Sequence, residues 1–356
     1  MTSPRFAPPS PSHAGQAAWA CIDSLSLGSP ATAARSPLST VMEIANTLEL
    51  DLSVANQAWV VRNNARPGAS TRISAWPLRF SRDTREKPLL YLHSAHSSAQ
   101  LCAVSAESAR RGILCNDNET LATSWPKGAD PSLPLWLANN PDCLPFDPAS
   151  GDETRAIVLE ALHRLYVEGQ PGFYYLALHD HEQGPRLSAQ DRGDALRGMY
   201  KVAESGAVQD GLRVRLLGAG QTFEEVRQAA LLLEQDWGVA TQLWSCPSYT
   251  RLAREAAAAE RWNRLHPEAA KRSAHLMQCL GHNRDPVLAV TGYGQAVTDQ
   301  LRGFVKARFV ALGAGSATTR SPSRQWIVTL ALKALADDQR LPTAKVEQAL
   351  QRYGLP

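Results

Sequence analysis

The sequence predicts an α/β fold: a mostly parallel sheet with flanking helices, preceded by a poorly patterned or disordered N-terminal region. Three observations carry that expectation. From Glu153 onward, short apolar runs of strand length alternate with longer amphipathic runs of helix length. Glycines stand where several of those helical runs should stop, at Gly169, Gly238 and Gly354. The first 45 residues, by contrast, are rich in Pro, Ser and Ala and offer little apolar surface to offset their ordering entropy.

Residues 1–45 are therefore expected to be disordered, apart from a short helix around Val41–Leu48. Residues 46–141 are expected to be poorly patterned and partly disordered. Their apolar pieces, Ala58–Val61 and Leu89–Leu92, hold neither a helix nor a strand period for long. Asn63-Asn64, Pro67-Gly68 and the three prolines between Trp125 and Pro134 interrupt them. Glu153–Glu168 then reads as an amphipathic helix, with Ile157, Val158, Ala161, Leu162, Leu165 and Tyr166 at helical spacing. Gly172–Leu178 reads as a buried strand, and a short helix runs up to Met199.

Further strands are expected at Leu212–Leu217, Val239–Cys246, Val287–Thr291 and Arg308–Leu312. Between and after them, helices are expected at Thr222–Trp237, Ala253–Asn263, Gln295–Val305, Trp326–Ala336 and Thr343–Tyr353. Thr222 and Glu225 have capping-box spacing at the start of their helix.

At roughly 100–200 residues per domain, 356 residues allow two domains or three small ones. A net charge of +3 gives no case for nucleic-acid binding. Residues 1–150 carry 12 basic and 12 acidic side chains, so the excess lies further on, where Arg alternates with Glu and Asp as on a solvated helix surface. The six cysteines (Cys21, Cys102, Cys115, Cys143, Cys246 and Cys279) show no CxxC spacing, and read as reduced thiols of a cytoplasmic protein. No apolar run approaches the roughly 20 residues that span a bilayer, and no signal peptide is recognised.

Few residues suggest chemistry. Gly218-Ala-Gly220 sits between a strand and a helix, but a dinucleotide fingerprint needs a third glycine where Phe223 stands, so a tight turn is the expectation. His179 and His181 share a face of an extended segment with no third metal ligand to name. No Gly-x-Ser-x-Gly elbow is present.

The stretches Phe146-Asp-Pro148, Phe173-Tyr-Tyr-Leu176, Arg197-Gly-Met-Tyr-Lys201 and Leu216-Leu-Gly-Ala-Gly220 occur in order, followed by Asp236-Trp-Gly238, Ser248-Tyr-Thr-Arg-Leu-Ala-Arg254, Glu260-Arg-Trp-Asn-Arg-Leu-His-Pro267 and Ala331-Leu-Lys-Ala-Leu-Ala-Asp337. With Lys345-Val346 and Tyr353-Gly354, they resemble the decarboxylating component of the bacterial, homodimeric pyruvate dehydrogenase. The resemblance covers roughly 200 residues, and the Arg-Trp-Asn-x-Leu-His-Pro string is its most specific part.

It implies that residues 142–205 are a remnant of the family's middle, pyrimidine-binding domain. Residues 206–356 would be a transketolase C-terminal-like α/β domain. It further implies a family reaction: thiamine diphosphate-dependent oxidative decarboxylation of pyruvate with acetyl transfer to lipoamide, assisted by magnesium.

Departures from the family are equally informative. The Gly-Asp-Gly magnesium motif is not matched, since Gly151-Asp152 and Gly193-Asp194 are followed by Glu153 and Ala195. No counterpart of the activating glutamate is found. Where the family's His-containing loop should fall, the chain reads Arg111-Gly-Ile-Leu-Cys-Asn-Asp-Asn118. Asp180-His-Glu182 replaces an Asn-Glu-Asn step, and only Arg320-Ser-Pro-Ser-Arg324 remains of an acidic turn.

No catalytic, cofactor-binding or metal residue is therefore assigned. Arg261, Trp262, Asn263 and His266 are candidates for a structural or interface role. The expectation is a truncated family member that binds no cofactor and is inactive alone. The alternatives are an assembly module, forming a homodimer or docking on a full-length member, and a gene remnant.

Overall fold

A computed structural model describes residues 12–27, 35–63, 86–108, 111–182, 184–205, 211–315 and 321–355. Two five-stranded sheets follow one another along the chain. The elements of the first are α1 (His13–Leu27), α2 (Pro37–Leu50), β1 (Trp59–Asn63), β2 (Leu89–His93), α3 (Ser98–Glu107), β3 (Arg111–Asn116), α4 (Ser132–Asn139), β4 (Cys143–Phe146), α5 (Gly151–Leu162) and β5 (Gly172–Ala177). All of its strands are parallel, in the order β1-β2-β3-β5-β4.

The second sheet is reached through α6 (Arg192–Arg197). It comprises β6 (Tyr200–Glu204), β7 (Arg213–Gly218), α7 (Phe223–Trp237), β8 (Ala240–Ser245), α8 (Tyr249–Leu265), α9 (His275–Leu280), β9 (Val287–Gly294), α10 (Ala296–Asp299), β10 (Phe309–Ala314), α11 (Arg324–Asp337) and α12 (Ala344–Tyr353). Its order is β10-β9-β7-β8-β6, with β6 antiparallel at one edge.

The α/β class with a mostly parallel sheet and flanking helices holds. The segment boundaries change. Residues 46–141, read as poorly patterned, supply three strands and two helices of the first sheet. Their strands are short, and β2 and β3 are buried on both faces, so they show no alternation of polar and apolar residues. In β2, Leu89 and Tyr91 enter the core on one face while Leu90 and Leu92 enter the core on the other.

Within 1–45, α1 and the start of α2 stand where disorder was expected, while residues 1–11 and 28–34 lie outside the described residues. Ala14, Ala18, Cys21 and Leu25 form a stripe of mostly small side chains that packs with Val41, Ile44, Ala45 and Leu48. Ser36 caps α2 by accepting from the Ser39 amide, and Pro37 begins the helix with a φ already suited to it. The expected remnant at 142–205 divides: β4, α5 and β5 complete the first sheet, and β6 joins the second.

Smaller corrections follow the same logic. The expected helix over Gln295–Val305 is one turn, α10, and a 3-10 turn at Arg302–Phe304. Thr222 does not cap α7, since its hydroxyl donates to the Ala219 carbonyl. Glu225 turns away and accepts three bonds from Arg324 at the start of α11, two of them at 2.6 and 2.7 Å. Gly238 ends α7 with φ +63, as its position suggests. Among the described residues no helix is long and apolar enough to cross a membrane, and the six cysteines form no disulfide.

One arginine fastens the two sheets together. Arg254 of α8 donates to the carbonyls of Leu137, Ala138, Asn140 and Cys143 at 2.7–3.2 Å. The first two belong to the last turn of α4 and Asn140 is its cap, so the guanidinium satisfies the carbonyls that a helix end leaves free and meets the negative end of its dipole. Arg254→Ala is expected to lower stability by about 2–4 kcal/mol, because several charge-assisted bonds are lost at once. Urea unfolding measures this, and a change within about 0.5 kcal/mol contradicts it.

Candidate functional site

Open parallel sheets bind ligands beyond the carboxyl ends of their strands. In the first sheet that edge is built from polar side chains and is pressed against the second domain. β3 ends in Asn116, followed by Asp117, Asn118 and Glu119, and β4 ends at Phe146, followed by Asp147. His179 follows β5.

Lys127 reaches into this edge from the loop before α4. Its ammonium lies 2.5 Å from Glu119 and 2.9 Å from Asp147, with 2% of its side chain exposed. It also stands 4.8 Å from the centre of the Tyr293 ring, on β9 of the second domain.

Lys127 adopts a left-handed backbone, φ +53, which costs a non-glycine residue on the order of 1 kcal/mol. The two ion pairs offset that cost. Neighbouring glycines make the room: a β-carbon at Gly292 would lie 2.8 Å from the Lys127 stem, and one at Gly220 would collide with the Asp147 carboxylate. The Gly218-Ala-Gly220 turn thus receives an aspartate of the other domain, and the Gly220 amide donates to the Asp147 carbonyl at 2.9 Å. The Asp147 amide donates to Pro247 at 2.6 Å, and the Ser248 hydroxyl to Pro145 at 2.5 Å.

One ammonium faces two carboxylates here. Burial alone would lower the Lys127 pKa, but Asp147 and Glu119 hold it above its usual value. Burial raises that of Asp147, against the pull of Lys127. Burial, reinforced by Lys127, pushes His179 down to about 4, so the ring is neutral. His181 is exposed and contacts Gln221 at 2.6 Å. The two histidines therefore do not form a metal pair with a third ligand, and no three His, Cys, Asp or Glu side chains converge as ligands among the described residues.

A second buried carboxylate lies close by. Glu153, in the first turn of α5, accepts from the Ala149 amide at 2.6 Å, the Tyr200 hydroxyl at 2.8 Å and the Ser245 hydroxyl at 2.6 Å. Tyr200 and Ser245 belong to β6 and β8, so this too is a bond between domains. Burial raises the Glu153 pKa to about 7, against the pull of those donors.

Sequence reasoning missed Glu119, Lys127, Asp147, Glu153 and Arg254. The signal for one was present: Glu153 shares the helical face of Ile157 and Ala161. A carboxylate on an apolar face implies a buried partner.

The cluster that the sequence singled out stands elsewhere. Trp262 stacks on His266 with centroids 4.6 Å apart, and Arg272 covers the ring at 4.1 Å. Asn263 exchanges hydrogen bonds with the Arg272 backbone at 2.7 and 2.9 Å. Arg261 is exposed beside them. These four residues close the end of α8 and the turn after it, and they touch neither Lys127 nor Glu153.

Chemically, the arrangement neutralises charge and seals an edge. The partly open space at the seam is about 40 Å3, lined by Asp147, Tyr175, Tyr249, Thr291 and Tyr293 among others. That admits water but not a molecule the size of thiamine diphosphate. Asp152 lies 3.8 Å from Arg186, and Asp194 is exposed on α6. The residues of this seam do not fit the cofactor.

Lys127→Met is expected to cost roughly 3–5 kcal/mol, because it leaves two carboxylates buried without a counter-ion. Adding Glu119→Gln should recover part of that loss, and denaturant unfolding of both variants decides the point. Glu153 gives a pH signature. Its pKa is raised on folding, so its contribution is fully present below about 4.5 and is lost as pH climbs through about 7. Glu153→Gln keeps an acceptor for Ala149 and donors for the two hydroxyls. Relative to this variant, the unmodified chain should lose up to about 3 kcal/mol between pH 4.5 and 8. Parallel melting curves across that range would refute the assignment.

Comparisons with known proteins agree with this architecture. The family model of the transketolase-like C-terminal domain matches residues 198–320, which begin just before β6. The chain is 36% identical over 269 residues to the pyruvate dehydrogenase E1 component of Cupriavidus necator, covering 72% of this chain but 30% of that protein. It therefore spans about a third of the length of such relatives.

Among solved structures, a transketolase mutant from Pichia stipitis aligns with a TM-score of 0.52 at 15% identity, over 93% of this chain and 48% of that one. A split-gene transketolase, an inactive β4 tetramer, aligns with a TM-score of 0.50 at 15% identity, over 85% of this chain and 98% of that one. At those identities the likeness is one of fold. By sequence and by fold, this chain is a relative of the pyruvate dehydrogenase E1 components that carries a transketolase-like C-terminal domain.

Proposed function

We propose that this chain is a non-catalytic subunit that docks on a full-length member of the pyruvate dehydrogenase E1 family and does not turn over pyruvate by itself. In this reading it corresponds to the middle and C-terminal domains of such an enzyme. The observation that carries the reading is the seam. The strand ends of the first sheet, where a ligand would enter, are filled by Glu119, Lys127, Asp147 and the Tyr293 ring.

The family reaction needs a diphosphate–magnesium site and a group that activates the aminopyrimidine of thiamine diphosphate. The cofactor supplies the carbanion chemistry. The protein's share would be to hold and orient it, and no residue of this chain is assigned to that task. The fold aligns with most of the split-gene transketolase chain, an inactive β4 tetramer.

Four buried hydrophobic clusters and the buried ion pairs of Lys127 favour a folded chain over a gene remnant. The surface offers a place to dock. Trp125 and Leu135 are 47% and 52% exposed. They flank an apolar concavity of about 340 Å3 that also includes Pro131, Pro134, Val297 and Ala314.

Coexpression with the host's full-length pyruvate dehydrogenase component tests the reading. The chain should co-purify with it, and Trp125→Glu with Leu135→Glu should abolish that. Supplied with thiamine diphosphate and magnesium, the chain alone should show no pyruvate turnover. Turnover by the chain alone, or no association at micromolar concentrations (on the order of −8 kcal/mol), overturns the proposal.

A further inference from the structure

At the opposite, N-terminal edge of the second sheet lies an open concavity of about 880 Å3, walled by the segments that lead into β9 and β10 and by the chain leaving α11. Its charged lining consists of Arg284, Lys306, Arg308 and Arg340 against Asp285 and Asp338.

Both carboxylates are already committed. Arg308 donates to Asp338 at 2.7 Å and Arg340 to Asp285 at 3.0 Å, while Asn283 holds the other Asp285 oxygen at 2.6 Å. Arg284 and Lys306 are exposed and make no hydrogen bond or ion pair within the described residues, and His282 stands beside them, also exposed.

An independent observation lies beneath the floor. Arg215 of β7 is 1% exposed. Its guanidinium donates to the carbonyls of Leu280, Asn283 and Asp285 at 2.6–3.2 Å, and to no carboxylate. It fixes the segment that carries His282 and Arg284, and adds a buried positive charge whose field is weakly screened.

We propose that this concavity is a binding site for a polyphosphate anion, with Arg284 and Lys306 as its direct ligands on a loop held by Arg215. The planar fork of Arg284 suits the oxygens of a phosphate, and Lys306 adds a point charge. The shared lining of Arg284 and Lys306 with Asp285 and Asp338 favours a small multivalent anion over an extended acidic chain, which would also meet the two carboxylates.

Calorimetric titration of the full chain with inorganic pyrophosphate tests this, in parallel with adenosine triphosphate and with poly-glutamate. One saturable site is expected for pyrophosphate, weakening as salt is raised. Tighter binding of the nucleotide would identify a nucleoside polyphosphate as the source; equal binding would identify the inorganic anion. Arg284→Ala with Lys306→Ala should weaken binding by about tenfold or more, a loss of about 1.4 kcal/mol or more. Both residues are exposed and unbonded, so the fold should be unaffected. Arg261→Ala with Arg264→Ala, on the exposed end of α8, should leave binding unchanged. The proposal fails if pyrophosphate shows no saturable binding, if poly-glutamate binds in its place, or if the two double variants weaken binding alike.

Discussion

A single ammonium group sets the terms for the rest of the molecule. Lys127 is the counter-ion that lets Glu119 and Asp147 be buried together, and Asp147 is the residue through which β4 meets the Gly220 turn and Pro247. Without that charge, two carboxylates would have to stay ionised in a medium that solvates them poorly, or take up protons. The close approach of the two sheets depends on this balance. The glycines at 220 and 292, the left-handed backbone of Lys127 and the placement of Tyr293 are all accommodations to it.

The polar bonds between domains are distributed rather than concentrated. Arg254 grips the end of α4, Ser248 bonds to Pro145, and Glu153 is shared between α5 and the β6–β8 pair. Such an interface is specific in geometry because each buried polar group needs its own partner. These bonds join the two sheets although the matched family domain begins only at residue 198.

Most of the second sheet was legible in the sequence because its longer strands and helices carry their own signals, although β6 and α9 were not anticipated and α10 is shorter than expected. Gly238 stops α7, Gly354 stops α12, and the apolar spacing of α11 is clear. The first sheet was not. β1, β2 and β3 are five or six residues long and lie in a parallel sheet, so no polar alternation marks them. α1 packs largely through alanines, whose composition reads like that of a disordered tail. The seam was invisible for a different reason. Glu119, Lys127 and Asp147 are brought together by topology, and nothing in their spacing announces that they meet. Glu153 was the exception that a helical wheel would have exposed. Arg261, Trp262, Asn263 and His266, by contrast, were conspicuous as a string, yet they form a local closure at the end of a helix.

The strand order of the first sheet has a consequence for assembly. β4 lies at the edge and does not pair with β3, its predecessor in the chain; β5, which follows it, must insert between them. Asp147 therefore has no fixed position until residues 172–177 have been added to the sheet. The ion pair with Lys127 is a late closure, made only after a strand that comes later in the chain has taken its central place. A nascent or truncated chain ending before that strand would hold both partners of the seam and have no means of bringing them together.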